Sequence, residues 1–553
     1  MSGRRLLGQI LKARGVVSEA QIQKALGEQR EHGGLIGDHL VALGFATKGD
    51  VAMALGEQAG LAGWDLDNQP PDDEAIGLVD SSMAHAFGLL PVALEGDTLV
   101  VALSDPLNTS VLEDLSFATG REVRGVVADG ERLKQLVGDK YGPEQSLADV
   151  IAEAARSAGD DPEGASGPVV RLLNSILHRA IRDRASDIHF EAYEDSFRVR
   201  YRVDGALYEV ESPPAHLSSA LIARIKVLSD LDIAETKLPQ DGRIALSIDG
   251  RAVDLRVATM PGISGESAVL RVLDRSAVSL DLPSLGFAER EETILRNLTK
   301  LPNGIVLVTG PTGSGKTTTL YAMLNEINDP SVKVITVEDP VEYDIDGLVQ
   351  VPISDEIGVS YAAVLRTVLR QDPDKILVGE IRDPETAQTA IEASLTGHAV
   401  FATVHTNDAP SAVTRLLDMG IEPFLLTATF EALVAQRLVR RICPHCRTAY
   451  EPEDELLLEL GPDGKKLEGH TLYFGKGCKE CFHTGYLGRT VLCEILLMED
   501  SLRQAILDGD STAALRERAR QLGMQTLRDA GLAAILEGTT TVEEVLRETA
   551  AVV

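Results

Sequence analysis

The chain has 553 residues, 44% of them apolar, and its 85 acidic side chains outnumber its 53 lysines and arginines for a formal net charge of −32. That length suits three to five folded domains, and the acidic excess repels phosphate backbones, which argues against nucleic acid as a main partner, unless the excess simply keeps a large protein soluble. No apolar run reaches the ~18–20 residues that cross a bilayer, and the start MSGRRLLGQILKARG lacks a signal peptide's apolar stretch and cleavage site, so a cytoplasmic location is expected, with the five cysteines in metal or structural roles rather than disulfides.

Along the chain, an internal repeat comes first. LLGQILKARGVVSEAQIQKALGEQ, from Leu6 to Gln29, aligns with LIGDHLVALGFATKGDVAMALGEQ, from Leu35 to Gln58. Gly8 matches Gly37, Gly15 matches Gly44, Leu26 matches Leu55, and each copy predicts a helix, a Gly-marked turn and a second helix capped by Ser18 or Thr47. In LLPVALEGDTLVVALSDP two apolar runs flank a Gly-Asp turn, predicting a hairpin. Residues 142–167 are rich in Gly, Pro, Ser, Ala and acid, and predict a flexible linker.

The next folded segment, 168–275, contains a strand in which Phe197, Val199, Tyr201 and Val203 alternate with Arg198, Arg200 and Arg202. The basic face is either functional or simply solvated. A hairpin follows in IALSIDGRAVDLRVATM, turning at Asp249-Gly250. From about Leu285 the runs GIVLVTG, KVITVED, KILVGEI and AVFATVH alternate with helical stretches, the signature of βαβ units around a buried parallel sheet. A cysteine-bearing insert occupies 441–490, and 491–553 predicts helix.

GPTGSGKT, Gly310 to Thr317, is the strongest local signal. It fits G-x-x-x-x-G-K-[ST] between a strand and a helix, where glycines let backbone amides curl round a phosphate and the helix N-terminus favours negative charge. Gly310, Pro311, Thr312, Gly313, Ser314, Gly315, Lys316, Thr317 and Thr318 are the candidate nucleotide ligands, with Lys316 at the β- and γ-phosphates of ATP and Thr317 on Mg²⁺. Carboxylates lie at two strand ends: Glu338, Asp339 and Glu342 in ITVEDPVEY and Glu380 in ILVGEIRD. In an open parallel sheet the ligand sits at the carboxyl ends of the strands, so both groups face the loop, although Asp339 and Asp383 also suit a plain strand end and helix start. Cys443-Pro-His-Cys446 and Cys478-Lys-Glu-Cys481 are two C-x₂-C knuckles whose four thiolates can close a tetrahedral, structural Zn²⁺ site; metal-free reduced thiols are the alternative. His445 and His483 suit solvent-facing neighbours, and Cys493 suits the core.

In order, GPTGSGKT, ITVEDPVEY, ILVGEIRD and GHAVFATVHTND resemble the Walker A, Asp box, Walker B and His box of the ATPases of type II secretion and type IV pilus assembly. ASDIHFEAYEDSFRVRYRVDG, LPQDGRIAL, VDLRVATMP, VLRVLD, LRQDPD and AQRLVRRICPHC also fit, so the resemblance runs from about residue 168 to 545. It implies an α/β architecture: an N-terminal domain (1–141), the linker (142–167), a PAS-like α+β N2 domain (168–275), a RecA-like P-loop ATPase domain (285–440), the four-cysteine zinc insert (441–490) and a mostly helical C-terminal segment (491–553). It further implies that Glu338 activates the attacking water, that Glu380 acts at the Mg²⁺ and γ-phosphate end, and that Arg256 and Arg271 of N2 contact the γ-phosphate. His398 and His405 would sense nucleotide state or couple it to movement; from the residues alone, strand-end packing is the favoured reading.

The family acts as a homo-hexamer, docked at the cytoplasmic face of the inner membrane on a platform protein and on the cytoplasmic domain of a membrane-anchored secretion or pilus component. Peripheral membrane association is therefore expected only through partners. GRAVDLRVATMP, LVAQRLVRRICPHC and GYLGRT favour the type II secretion branch, with pilus extension as the alternative; the four-cysteine insert argues against a pilus retraction motor. The N-terminal repeat resembles the MshEN domain, whose paired motifs bind cyclic di-GMP. That family prefers Arg at the first position of each motif, where Leu6 and Leu35 stand here, with Arg5 one place early. A planar cation to stack on guanine is missing, so docking on a membrane-anchored partner is the main role expected, with cyclic di-GMP binding at the N-terminal domain as the alternative.

Overall fold

Each half of the N-terminal repeat folds as two helices, Leu7–Ala13 with Glu19–His32 and Ile36–Ala42 with Lys48–Ala59. The reason lies in matched local signals. Ser18 Oγ accepts from the Gln21 amide at 3.4 Å, and Thr47 closes a capping box with Asp50, each satisfying backbone donors that a helix start leaves open. A Cβ on Gly8 would meet Ile22 at 3.2 Å, and one on Gly37 would meet Val51 at 2.9 Å, so the repeat preserves a helix contact as well as a turn. This computed structural model describes residues 7–32, 36–79, 81–104, 110–142, 147–157, 167–210, 212–248, 251–274, 280–354, 358–453, 456–457 and 460–549. Leu6, Leu35, Arg5 and the Asp249-Gly250 turn lie outside them.

The chain divides into two compact units, Met1–Ala277 and Val278–Val553. In the first, β1 (Ala62–Gly63), β2 (Leu89–Glu95), β3 (Thr98–Leu103) and β4 (Glu122–Val127) form a sheet in the order β1-β4-β3-β2, with β2 and β3 the expected hairpin. The linker expectation is corrected for part of its length: Leu147–Ser157 is a helix. Leu147, Val150 and Ala154 form an apolar stripe buried with Leu173 and Ile176 of the helix Gly167–Arg182, a stripe masked in the sequence by flanking acid and alanine.

After that helix come β5 (Asp187–Ala192), β6 (Phe197–Val203), β7 (Ala206–Glu209), β8 (Gln240–Ile248), β9 (Arg251–Gly262) and β10 (Gly265–Asp274). They make an antiparallel sheet in the order β7-β6-β5-β10-β9-β8. Its apolar face, including Ile188, Phe190, Tyr201, Leu255 and Leu270, shares a core with the helices Gly167–Arg182 and Ser218–Leu228. The alternation in β6 is real: Phe197, Val199, Tyr201 and Val203 are buried and the three arginines are not.

The second unit holds β11 (Gly304–Thr309), β12 (Val334–Glu338), β13 (Val349–Pro352), β14 (Lys375–Val378), β15 (Ala399–Val404), β16 (Phe430–Ile442), β17 (Arg447–Tyr450), β18 (Leu472–Gly475) and β19 (Tyr486–Leu497). Seven of these form one sheet, β13-β12-β14-β15-β11-β16-β19, parallel up to β16 and closed by antiparallel β19. Every residue of β11, β12 and β15 is buried, as expected for strands covered on both faces. Residues 491–497, expected as helix, are instead the second half of β19; its partner β16 is far off in sequence, and the run TVLCEILL has no local feature that separates strand from helix. Helices Asp500–Leu507, Thr512–Gln521, Leu527–Leu536 and Val542–Glu548 complete the unit. Among the described residues no helix is long and apolar enough to cross a membrane.

Candidate active site and metal centre

The glycine-rich loop leaves β11 at Thr309 and re-enters structure at the helix Lys316–Glu326. Gly310 has φ 149°, and a Cβ there would lie 2.5 Å from the Gln436 carbonyl and from Ser314 Oγ; Gly315 has φ 86°, and its Cβ would lie 2.8 Å from Gln436 Nε2. Gln436, 1% exposed on β16, donates to the Ser314 carbonyl at 2.7 Å and accepts from Thr319 Oγ1 at 2.9 Å. The loop is thus curled tightly against a neighbouring strand. Lys316 Nζ donates to the carbonyls of Gly310 at 2.9 Å and Pro311 at 3.1 Å. Burial lowers the Lys316 pKa, with the Glu380 carboxylate opposing and the Arg437 guanidinium reinforcing the shift. Thr317 and Thr318 stand half-buried at the start of the helix, while Pro311, Thr312 and Gly313 are exposed.

Because β12, β14, β15 and β11 are neighbours running in parallel, the residues after their carboxyl ends share one edge. Glu380, two residues beyond β14, accepts from Arg382 Nε at 2.7 Å, and its other oxygen lies 3.2 Å from His405 Nε2. His405 Nδ1 lies 3.1 Å from the Gly310 carbonyl, so this histidine bridges the P-loop and Glu380. Arg382 also reaches Asp339 at 3.4 Å. Asp383 caps the helix Pro384–Leu395, the plain role open to it.

The structure does not bring His398 to this edge. It precedes β15, six residues and ~20 Å of strand away, and its Nδ1 lies 2.9 Å from the Ala393 carbonyl. Glu338 ends β12 and is 3% exposed. Its carboxylate accepts from Tyr321 Oη, from Thr336 Oγ1 at 2.5 Å and from Gln350 Nε2 at 3.2 Å.

Arg256 and Arg271 belong to the first unit. Strand register sets Arg243, Arg256, Arg271, Asp187 and Arg202 in one row across β8, β9, β10, β5 and β6, on the face opposite the apolar core. Arg271 Nε bonds Asp187 Oδ1 at 3.0 Å while 58% exposed, and Arg202 lies 3.6 Å from the same carboxylate. Arg200 pairs with Glu191 at 2.6 Å. Arg243 stood inside LPQDGRIAL, but only the register shows that it joins Arg256 and Arg271. Like charges directly opposite one another on neighbouring strands repel, and Asp187, next in the row, offsets this at Arg271.

The cysteine knuckles close on each other. Cys443 and Cys478 Sγ are 3.8 Å apart, Cys446 and Cys481 3.8 Å, and Cys478 and Cys481 3.7 Å, and all four sulfurs lie within 4.8 Å of one another. A tetrahedron with zinc–sulfur bonds of ~2.3 Å has edges of ~3.8 Å, so the donor set fits zinc in type and size. His445 and His483 are exposed, and Cys493 lies in the core.

A parallel sheet carrying a P-loop, with acidic residues and a histidine at the same edge, defines a P-loop ATPase. The family model described as Type II/IV secretion system protein matches residues 163–547, and the chain belongs to that family of secretion ATPases. An MshEN domain model matches residues 59–147, directly after the repeat. The type IV pilus assembly ATPase PilB of Myxococcus xanthus is 42% identical over 100% of this chain and 99% of its own length. The type II secretion system ATPase E of Vibrio cholerae is 47% identical over 85% of this chain and 93% of its own. The ATPase DotB of Legionella pneumophila, at 22% identity, superposes with a TM-score of 0.51 over 68% of this chain and 95% of its own, a likeness of fold.

Proposed function

We propose that the chain is the hexameric motor of a type II secretion system, converting ATP hydrolysis into assembly of a pseudopilus at the cytoplasmic face of the inner membrane. The observation that carries the reading is the meeting of Lys316 and His405 at the Gly310 carbonyl, with Glu380 on the far side of His405, a charged cluster at the sheet edge that bears the P-loop. ATP enters the P-loop, and Lys316 leaves its carbonyl partners for the β- and γ-phosphates. Thr317 would hold Mg²⁺, which would neutralise phosphate charge when bound, and Glu380 and His405 act at the γ-phosphate end. Glu338 orients and deprotonates the attacking water. Arg256 and Arg271, with Arg243 in the same row, supply fixed positive charge to the γ-phosphate. The four cysteines would hold a structural Zn²⁺, which would take no part in the chemistry. The ring works on an inner-membrane platform protein, and the N-terminal domain docks a membrane-anchored component.

A second reading, pilus extension, is favoured by the full-length match to a pilus assembly ATPase, whereas the type II relative has the higher identity over less of the chain. Phosphate release by the purified protein tests the motor. Lys316→Ala and Glu380→Gln are each expected to lower turnover by at least ~100-fold; tight ATP binding with no release by the assembled wild type would favour a scaffold instead. Deleting the gene in its host separates the branches, with loss of exported enzymes under the first reading and of surface pili under the second.

A further inference from the structure

The Glu338 carboxylate is bound more tightly than a strand-end acid requires, and the three groups that hold it come from three different elements. Thr336 is on its own strand, β12. Gln350 is on the edge strand β13, where its Nε2 also bonds the Tyr343 carbonyl at 3.0 Å and its Oε1 accepts from the Ile345 amide at 2.8 Å. Tyr321 is on the helix that begins with Lys316 and Thr317. Its ring is fully buried and sits edge-on to Tyr343, with centroids 6.2 Å apart. Its hydroxyl donates to Glu338 and is within 3.4 Å of the Glu342 amide and of Gln350 Nε2. Burial, reinforced by the Glu338 charge and the hydrogen bond to it, pushes the Tyr321 pKa far up, so the hydroxyl keeps the proton that it donates.

We propose that Tyr321 is a positioning residue for ATP hydrolysis: its hydroxyl fastens Glu338 to the phosphate-binding helix and so sets the direction in which that carboxylate receives the proton of the attacking water. An ionised carboxylate offers about four acceptor positions. Tyr321, Thr336 and Gln350 occupy three, leaving one for water and fixing the angle at which it lies. The helix that carries Lys316 at its first residue carries Tyr321 five residues on, so one rigid element holds both the phosphate ligand and the tether of the proton acceptor. Preorganisation of this kind acts on the chemical step and leaves ground-state binding of ATP to the loop.

The inference rests on the assignment of Glu338 as the water-activating residue, and the experiment separates the two. Steady-state phosphate release, ATP binding and thermal melting are measured on the full chain for the wild type, Glu338→Gln, Tyr321→Phe and Thr336→Val. Tyr321→Phe removes one oxygen without changing the ring, and Thr336→Val removes the donor on the other carboxylate oxygen at constant shape. The expected result is that Glu338→Gln is inactive, while Tyr321→Phe and Thr336→Val lose roughly 10- to 100-fold in kcat with KM and Kd for ATP within about twofold of wild type. Should one of the pair fail to fold, the other decides. Wild-type kcat in Tyr321→Phe beside an inactive Glu338→Gln would overturn the tether and leave Glu338 in place. A loss of ATP affinity in step with kcat and melting temperature would make Tyr321 a structural residue. Normal turnover in Glu338→Gln would remove the assignment on which the proposal stands.

Discussion

Gln436 shows how a single buried side chain shapes a phosphate site without being part of its motif. Its amide closes two hydrogen bonds at once, to the Ser314 carbonyl and from Thr319 Oγ1, and its atoms crowd the spaces where Gly310 and Gly315 would carry a Cβ. Replacing it with leucine keeps the volume but leaves a buried carbonyl and a buried hydroxyl without their partner, at about 1–3 kcal/mol. Gln436→Leu is therefore expected to uncurl the loop and raise the Kd for ATP by about tenfold, close to 1.4 kcal/mol, as read by titration with a fluorescent nucleotide. An unchanged Kd with a lowered melting temperature would confine Gln436 to stability. At this scale the strand, glycine-rich turn and helix of the P-loop were legible in the sequence, because the motif is eight consecutive residues. Tyr321, Gln350 and Gln436 were not, because each acts on a residue distant in sequence and no local pattern separates a tyrosine that packs in a helix from one that also donates to Glu338. His398 and His405 look alike within GHAVFATVHTND, yet β15 sends them to opposite ends of the sheet.

Among the elements, β16 joins the nucleotide site to the C-terminal helices. It bears Gln436 in its middle, Arg440 further on, and leads directly to Cys443. Thr540 Oγ1 donates to the Arg440 carbonyl at 2.8 Å and the Ile442 amide to the Thr539 carbonyl at 2.9 Å, while Glu544, on the helix Val542–Glu548 and 1% exposed, accepts from the Arg440 guanidinium at 2.6 Å. Burial pushes the Glu544 carboxyl up, but the hydrogen bonds from the Arg440 side chain and amide, with the charges of Arg440 and Arg547, outweigh it and hold the pKa below its ordinary 4.5. A carboxyl depressed in the folded state adds stability above its unfolded pKa and loses it as pH falls through 4.5 toward the folded value. Glu544→Gln is therefore expected to lower stability at pH 7 by about 1.5–3 kcal/mol, the worth of hydrogen bonds to a charged group, with the gap to wild type narrowing on acidification to pH 4. Thermal melts at the two pH values check this; an equal gap at both would mean that the carboxylate's charge contributes nothing. The pairing of β16 with β19 also explains why helix was expected over 491–497. The run TVLCEILL suits strand and helix alike, and the partner that decides for strand lies in a part of the chain that no local window reaches, whereas β11, β12, β14 and β15 were each marked by their own aliphatic run and the loop that follows.

For the whole molecule, the order of the motifs was legible from residue 168 onward because each is local, while the division into units at Ala277 and Val278 depends on packing. The Arg243, Arg256 and Arg271 row belongs to one unit and the P-loop to the other, so the proposed mechanism draws on residues of both, and under it ring assembly is expected to control the rate. Assembly works against charge: each chain carries −32, and the six of the proposed ring repel strongly when screening is weak. The Debye length falls from ~30 Å at 0.01 M salt to ~8 Å at 0.15 M, so repulsion between subunits is largely screened at the higher value. Turnover per chain is expected to rise with protein concentration and then level off, with the half-maximal concentration falling as salt is raised over that range. Phosphate release measured against protein concentration at both salts, beside the mass of the particle in solution, provides the check. Turnover per chain that is independent of concentration while the protein is monomeric would show that one chain completes the site unaided, and the arginine row would then have to act within its own subunit.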